Sequence, residues 1–197
     1  MWKRSALVIV AVVAGATALI DAQQQRPASP AGTAAAQVGS NWIEITYGRP
    51  ILRGRTNIFG SGAEYGKALY DGGPIWRAGA NQSTLLRSAV PLEIGGKRIP
   101  AGDHVLLIEL KGPREWALIV SAQAYQRNFD PRNTTELWGG FNYTPAKDVA
   151  RAAMTVETLP YTVEQLTWGF TDMTRSGGTL RIWWDKTMAS VPFKIVT

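Results

Sequence analysis

The chain has 197 residues, 45% of them hydrophobic, with 21 basic against 15 acidic side chains, a net charge of +6 and no cysteine. Without thiols, disulfides, thiolate zinc sites and cysteine nucleophiles are excluded. The length suits one domain held together by core packing, to which eight tryptophans bring large apolar side chains.

Met1-Trp2-Lys3-Arg4 precedes an apolar run over residues 6–20. Two basic residues ahead of a short apolar segment form the pattern of a secretory signal peptide, and the run is shorter than the roughly 20 residues a membrane span requires. Ile20-Asp21-Ala22 supplies a small-residue cleavage site, so the signal peptide is expected over 1–22. Residues 23–40 are rich in Gln, Pro, Ala, Gly and Ser, with Arg26 as their one charge. Such a composition buries no core, and a disordered tether is expected there. The folded domain is then expected over 41–197.

From this point the periodicity is that of strands. Ile43, Ile45 and Tyr47 alternate with Glu44 and Thr46, and Thr84, Leu86 and Ser88 alternate with Leu85 and Arg87. Leu92-Glu93-Ile94, Gly95-Gly96 and Lys97-Arg98-Ile99 read as a hairpin with a two-glycine turn. Further strands are predicted over 104–110, 115–121, 149–157, 163–171, 179–185 and 187–196, with Ser176-Gly177-Gly178 as a second hairpin turn. Short strands at regular spacing with Gly/Pro turns predict an antiparallel sandwich or barrel, and the expected fold is all-β, a single antiparallel β-sandwich of jelly-roll-like type. Two stretches, 52–80 and 122–147, resist strand assignment. The second holds Tyr125, Phe129, Trp138, Phe141 and Tyr143, an aromatic content that argues against disorder. Both are expected to be ordered loops that pack on one another or on one end of the sandwich.

The charge is unevenly spread along the chain. Between residues 49 and 98, eight basic residues stand against three acidic ones, whereas from residue 99 onward the two signs balance at ten each. A one-sided field of that kind favours an anionic partner, unless the side chains fan out over several faces. The same segment combines arginines with rigid aromatics, the residue types that recognition surfaces use. Arg49, Arg55 and Arg77 can grip a carboxylate or phosphate bidentately, while Tyr47, Tyr65, Trp76 and Asn81 can add stacking and neutral hydrogen bonds. The competing reading is structural: a buried arginine can pin a long loop by donating to backbone carbonyls.

Tyr47-x-Arg49-Pro50, Gly54-Arg55, Phe59-Gly60, Tyr65-Gly66 and above all Trp76-Arg77-x-Gly79-Ala80-Asn81 resemble the signature of the bacterial family called domain of unknown function 2911. Gly95-Gly96-Lys97, Trp138-Gly139 and Trp184-Asp185 are similar too. The resemblance implies an exported all-β domain of a Gram-negative-type bacterium. It brings no substrate, cofactor or catalytic residue with it.

Signals of chemistry are sparse. His104 is the one histidine, and by itself it makes neither a metal site nor a triad. Glu44, Glu64, Asp71, Glu109 and Glu136 are candidates for paired carboxylates, although none stands in a diagnostic pattern. No metal or cofactor is expected. Nucleic acid is set aside because an exported protein meets little of it, and membrane contact is expected only through the signal segment before cleavage. The leading expectation is therefore a periplasmic or secreted, non-catalytic module that binds an anionic or carbohydrate-like small molecule or envelope polymer. The alternatives are a glycan-acting hydrolase or isomerase, using carboxylates or His104 beside Arg77, and a structural protein of an envelope assembly.

Overall fold

The computed structural model describes residues 28–196. The expected signal peptide over 1–22 lies outside the described residues, as does the start of the expected tether. Nine strands follow in chain order: β1 Ala31–Val38, β2 Asn41–Gly48, β3 Thr84–Ser88, β4 Leu92–Ile94, β5 Lys97–Ile99, β6 Gly102–Gly112, β7 Glu115–Ser121, β8 Asp148–Thr174 and β9 Gly177–Ile195. All neighbours pair antiparallel, in the order β1-β2-β3-β6-β7-β8-β9-β4-β5. The fold is all-β. One continuous antiparallel sheet carries all nine strands and folds over through β8. That strand pairs with β7 as far as Met154 and with β9 from Thr155 onward.

The tether expectation is corrected from residue 31. β1 pairs with β2 along its whole length, from Ala31 opposite Gly48 to Val38 opposite Asn41, through a tight turn at Gly39 and Ser40. Its composition concealed it, because an Ala/Gly strand gains little from burial. The backbone ladder holds it, together with half-buried Ala34 and Val38 on the core. A Cβ at Gly32 would collide with the Arg49 side chain that lies across the strand, and that side chain would have to shift.

The core lies between the two halves of the folded sheet. Ile43, Ile45, Leu86, Leu106, Ile108, Leu118 and Val120 on one half meet Leu166, Trp168, Leu180, Ile182, Val191 and Phe193 on the other. On the opposite face of β6 and β7, Val105, Leu107 and Ile119 form a smaller cluster with Ile75 and Leu137 from the two long loops. The central strand β6 is thus covered on both faces. Its run His104-Val105-Leu106-Leu107-Ile108 accordingly reads as continuous burial in place of alternation.

The loop after β2 closes one end of this core. Its first residues continue the sheet onto β8, where the Leu52 N–H donates to Glu164 O at 2.8 Å and the Leu166 N–H to Pro50 O at 3.0 Å. Phe59 and Trp76 then enter the core and meet Trp116 and Trp184. Phe59 sits 5.0 Å from Trp116, and Trp76 stacks on Trp184 at 6.5 Å. Trp76 also exchanges both backbone hydrogen bonds with Ile108. Among the described residues no helix is long and apolar enough to cross a membrane.

Candidate binding cleft

The segment Trp76-Arg77-Ala78-Gly79-Ala80-Asn81 shows how sequence sets local geometry here. Trp76 points into the core, so Arg77 is turned to the other side, where its residue is 8% exposed. Ala78 and Asn81 adopt positive φ angles of 51° and 63°. The strained turn at Ala78 presents its carbonyl to the Trp168 indole N–H at 2.9 Å and to the Thr84 hydroxyl at 3.3 Å. Arg77 closes the turn by donating to Asn81 O at 2.8 Å, and its other terminal nitrogen pairs with Asp71 at 2.8 Å. The far loop completes its surroundings. The Phe141 ring lies 5.8 Å from the guanidinium carbon, and Gly139 packs so closely that a Cβ there would come within 2.9 Å of it. The two aromatic loops therefore meet, and they meet at Arg77.

Over this junction lies a half-open cleft of about 350 Å³. Arg77 and Asp71 belong to one wall, and the far loop supplies Gln126, Phe129, Asp130, Asn133, Trp138 and Phe141. Phe129 is 60% exposed and its ring lies 5.5 Å from that of Trp138. Aromatic rings are thus left beside hydrogen-bonding groups at an open hollow. The loop carrying them is cross-linked by side-chain hydrogen bonds to its own backbone. Gln123 donates to Thr135 O at 2.9 Å and Asn142 O at 2.6 Å, and Asn142 donates to Asn133 O and Glu136 O, each at 3.0 Å. At its end, Tyr143 donates to Asp148 at 2.8 Å, and burial with that carboxylate pushes the phenol up to about 12.

The carboxylates of the cleft are held by cations. Asp130 accepts from the Arg132 guanidinium and backbone N–H, which hold its carboxyl below the usual range. Asp71 is the partner of Arg77. His104 is elsewhere. It lies on the inner face of β6 in line with Leu106, opposite Leu86 of β3, and is 6% exposed with Nδ1 unpartnered. The expectation that His104 could work beside Arg77 is thereby corrected, because the sheet stands between them. Among the described residues no group of three or more His, Asp or Glu is arranged to hold a metal ion.

Of the seven residues singled out in the sequence, Arg77 lines this cleft. Tyr47 and Trp76 are corrected from ligand contacts to core residues, at 3% and 1% exposure. The Tyr47 hydroxyl accepts the Trp168 N–H at 2.9 Å and so ties β2 to β8. Arg49 and Arg55 spend their guanidinium groups on carbonyls, Arg49 on Leu166 O and Arg55 on Leu52 O and Ile51 O. Tyr65 accepts from the Trp116 indole at 2.9 Å, and burial raises its pKa. Asn81 donates to Ser29 O at 3.2 Å, next to β1. The basic surplus of this region is thus drawn into separate contacts, with Lys67 on Glu64 and Arg87 on Asp103 as further pairs. Phe129, Trp138 and Phe141 were visible in the sequence as an aromatic-rich loop, but nothing in their spacing marked them as a site.

The fold and the cleft define an all-β domain that presents aromatic rings on a hydrogen-bonded loop. Residues 29–193 match the family described as Protein of unknown function (DUF2911), and the chain belongs to that family. No curated protein and no solved structure matches the chain.

Proposed function

We propose that this domain is an exported, non-catalytic module that binds a carbohydrate-like ligand in the cleft between the two loops. The observation that carries this reading is the set of Phe129, Trp138 and Phe141 around an open cleft rimmed by Asp130, Asn133 and Arg77. The C–H face of a sugar ring stacks on an aromatic face, and its hydroxyls take hydrogen bonds from the charged and amide groups at the edge. Preformed hydrogen bonds throughout the loop keep the rings in place before the ligand arrives, which lowers the ordering cost of binding. Export rests on the basic and apolar N-terminal pattern of residues 1–22, and would make the ligand an envelope or extracellular one.

The binding reading is tested by calorimetric titration of the protein with neutral and acidic oligosaccharides. Phe129→Ala is expected to weaken binding at least about tenfold, the effect of removing one stacking ring from a site of this kind. Its melting temperature should stay close to wild type, since the ring is mostly in water. Unchanged affinity in Phe129→Ala and Trp138→Ala together would overturn the assignment of the cleft.

A hydrolase is the second reading, favoured by one observation: Asp71 and Asp130 line the same cleft as Arg77. A glycosidase needs one carboxylic acid kept protonated at working pH. Arg132 pushes Asp130 the other way. Release of reducing ends from any oligosaccharide that binds, abolished in Asp130→Asn with binding retained, would replace the non-catalytic reading with this one.

A further inference from the structure

A second hollow adjoins the aromatic cleft. It has a volume of about 260 Å³ and is lined by Ser83, Leu85, Arg87, Tyr125, Gln126 and Arg127. Gln126 lines both hollows, so they meet at one residue, whose side chain is largely buried. That side chain is fixed. Its amide donates to Asn133 O at 3.1 Å and Glu136 O at 3.3 Å, and its oxygen accepts the Asp130 N–H at 2.8 Å. A dividing wall with three hydrogen bonds holds the two hollows at constant spacing.

Their chemistries differ. In the aromatic cleft the charges cancel in pairs, Arg77 with Asp71 and, at its edge, Arg132 with Asp130. In the second hollow Arg87 and Arg127 stand near two acids, Asp103 and Glu44, both of which act on Arg87. Asp103 is already committed to Arg87 through two contacts of 2.8 and 2.9 Å, and it accepts from the Tyr125 hydroxyl at 3.3 Å. Arg127 is exposed and feels Asp103 at a distance. Both acids lie with Arg87, so among the described residues the Arg127 guanidinium has no ion pair, and its planar fork suits a carboxylate or a sulfate.

We propose that the two hollows are adjoining subsites of one groove, and that the groove takes an oligosaccharide bearing anionic groups. This rests on the aromatic cleft being a sugar site. One sugar face lies on the rings of Phe129, Trp138 and Phe141, and the acidic group of a neighbouring sugar sits at Arg127. A monosaccharide occupies one hollow and gains nothing from the other. Carboxylate and sulfate share the chemistry that Arg127 recognises.

Calorimetry on the protein with monomers and short oligomers separates these statements. The probes are uronic acid oligomers, sulfated oligomers and neutral chito-oligosaccharides of matched length. The expected result is that an acidic oligomer binds about tenfold tighter than the acidic monomer or the neutral oligomer, the worth of one charge-assisted contact. Arg127→Gln, at an exposed site with little risk to folding, should erase that advantage and leave neutral oligomers unaffected. Added salt should weaken acidic oligomers alone. Which acidic series binds identifies the anion. If acidic and neutral oligomers bind alike and Arg127→Gln changes neither, the second hollow is not a subsite; the aromatic cleft then still stands, provided Phe129→Ala weakens binding. If no saccharide of any length binds, the sugar reading of the cleft fails and this inference with it.

Discussion

The two long loops make an instructive pair. The first, between β2 and β3, has the composition of a recognition surface, with Arg49, Arg55, Tyr65, Trp76 and Arg77 close together in sequence. It turns nearly all of them inward or onto backbone carbonyls. The second, between β7 and β8, carries fewer arginines, and it places Phe129, Trp138 and Phe141 around an open cleft. The difference lies in hydrogen-bond accounting. A long irregular segment that plugs the end of a sheet leaves buried carbonyls without strand partners, and arginine is the side chain with enough donors to satisfy several at once. The second loop covers the outer face of β6 and β7. There, Gln123, Gln126 and Asn142 satisfy its carbonyls and the aromatic rings remain free.

The contrast is broken or sharpened most strongly by paired aromatic truncations. Trp76→Ala should cost about 3–5 kcal/mol, as expected for a tryptophan removed from a packed core. Phe129→Ala should stay within about 0.5 kcal/mol, as a surface change. Urea denaturation of the two variants measures both. Comparable losses would mean that the second loop is as structural as the first.

Next in size is the junction at which the loops touch. Arg77→Ala leaves Asn81 O and Asp71 without their partner and opens space beneath Phe141. A loss of about 1–3 kcal/mol is expected, chiefly from the orphaned Asn81 carbonyl and the lost packing of the guanidinium, since Asp71 is largely in water and its pairing is worth little. Gly139→Ala attacks the same contact from the other loop, since φ at Gly139 is +59° and the added Cβ would press on the guanidinium. Here the expected cost is about 1–3 kcal/mol. Because the two residues touch, a double variant should lose less than the sum of the single losses, and a double-mutant cycle reads this directly. Full additivity would show that the loops are held independently.

These residues also indicate what the sequence could tell. Strands that alternate over a half-buried face were legible, as at Ile43, Ile45 and Tyr47. So was the Gly95-Gly96 hairpin, which forms as expected between β4 and β5. β1 was not legible, because Ala and Gly carry no hydrophobic signal and its pairing depends on a partner strand supplied by β2. The placement of Arg77 was legible as chemistry but not as direction. Whether a guanidinium faces a ligand or a carbonyl depends on a turn at Ala78 whose positive φ no alanine announces. The cleft itself was illegible for a further reason. It needs residues from both loops, and only the folded sheet brings Arg77 and Phe141 to within stacking distance.

An effect no larger is expected at the seam between the first loop's origin and β8. Tyr47→Phe removes the oxygen that accepts the Trp168 N–H at 2.9 Å and leaves a buried donor unsatisfied. The penalty for such an orphan is about 1–3 kcal/mol. Hydrogen exchange should quicken at the Trp168 amide in this variant before it quickens elsewhere in β8. Uniform protection across β8 would mean that the hydroxyl contributes nothing local.

The last effect is a slope with pH. His104 is buried at the inner face of β6, and desolvation lowers its pKa below the usual 6.5. Above pH 6.5 the imidazole is neutral in both the folded and the unfolded chain and stability is unaffected. As pH falls through 6.5 the unfolded chain takes up a proton that the folded chain resists, so stability drops, and it goes on dropping until the folded imidazole also protonates. Asp103, held low by Arg87, contributes in the same direction, but only once the pH approaches its unfolded value near 4. The two windows are therefore separable. Urea midpoints measured from pH 7.5 down to about 5 should decline for the wild type and remain level for His104→Phe, a somewhat larger ring that removes the titrating group. A decline that survives in His104→Phe would move the acid-sensitive group out of the core.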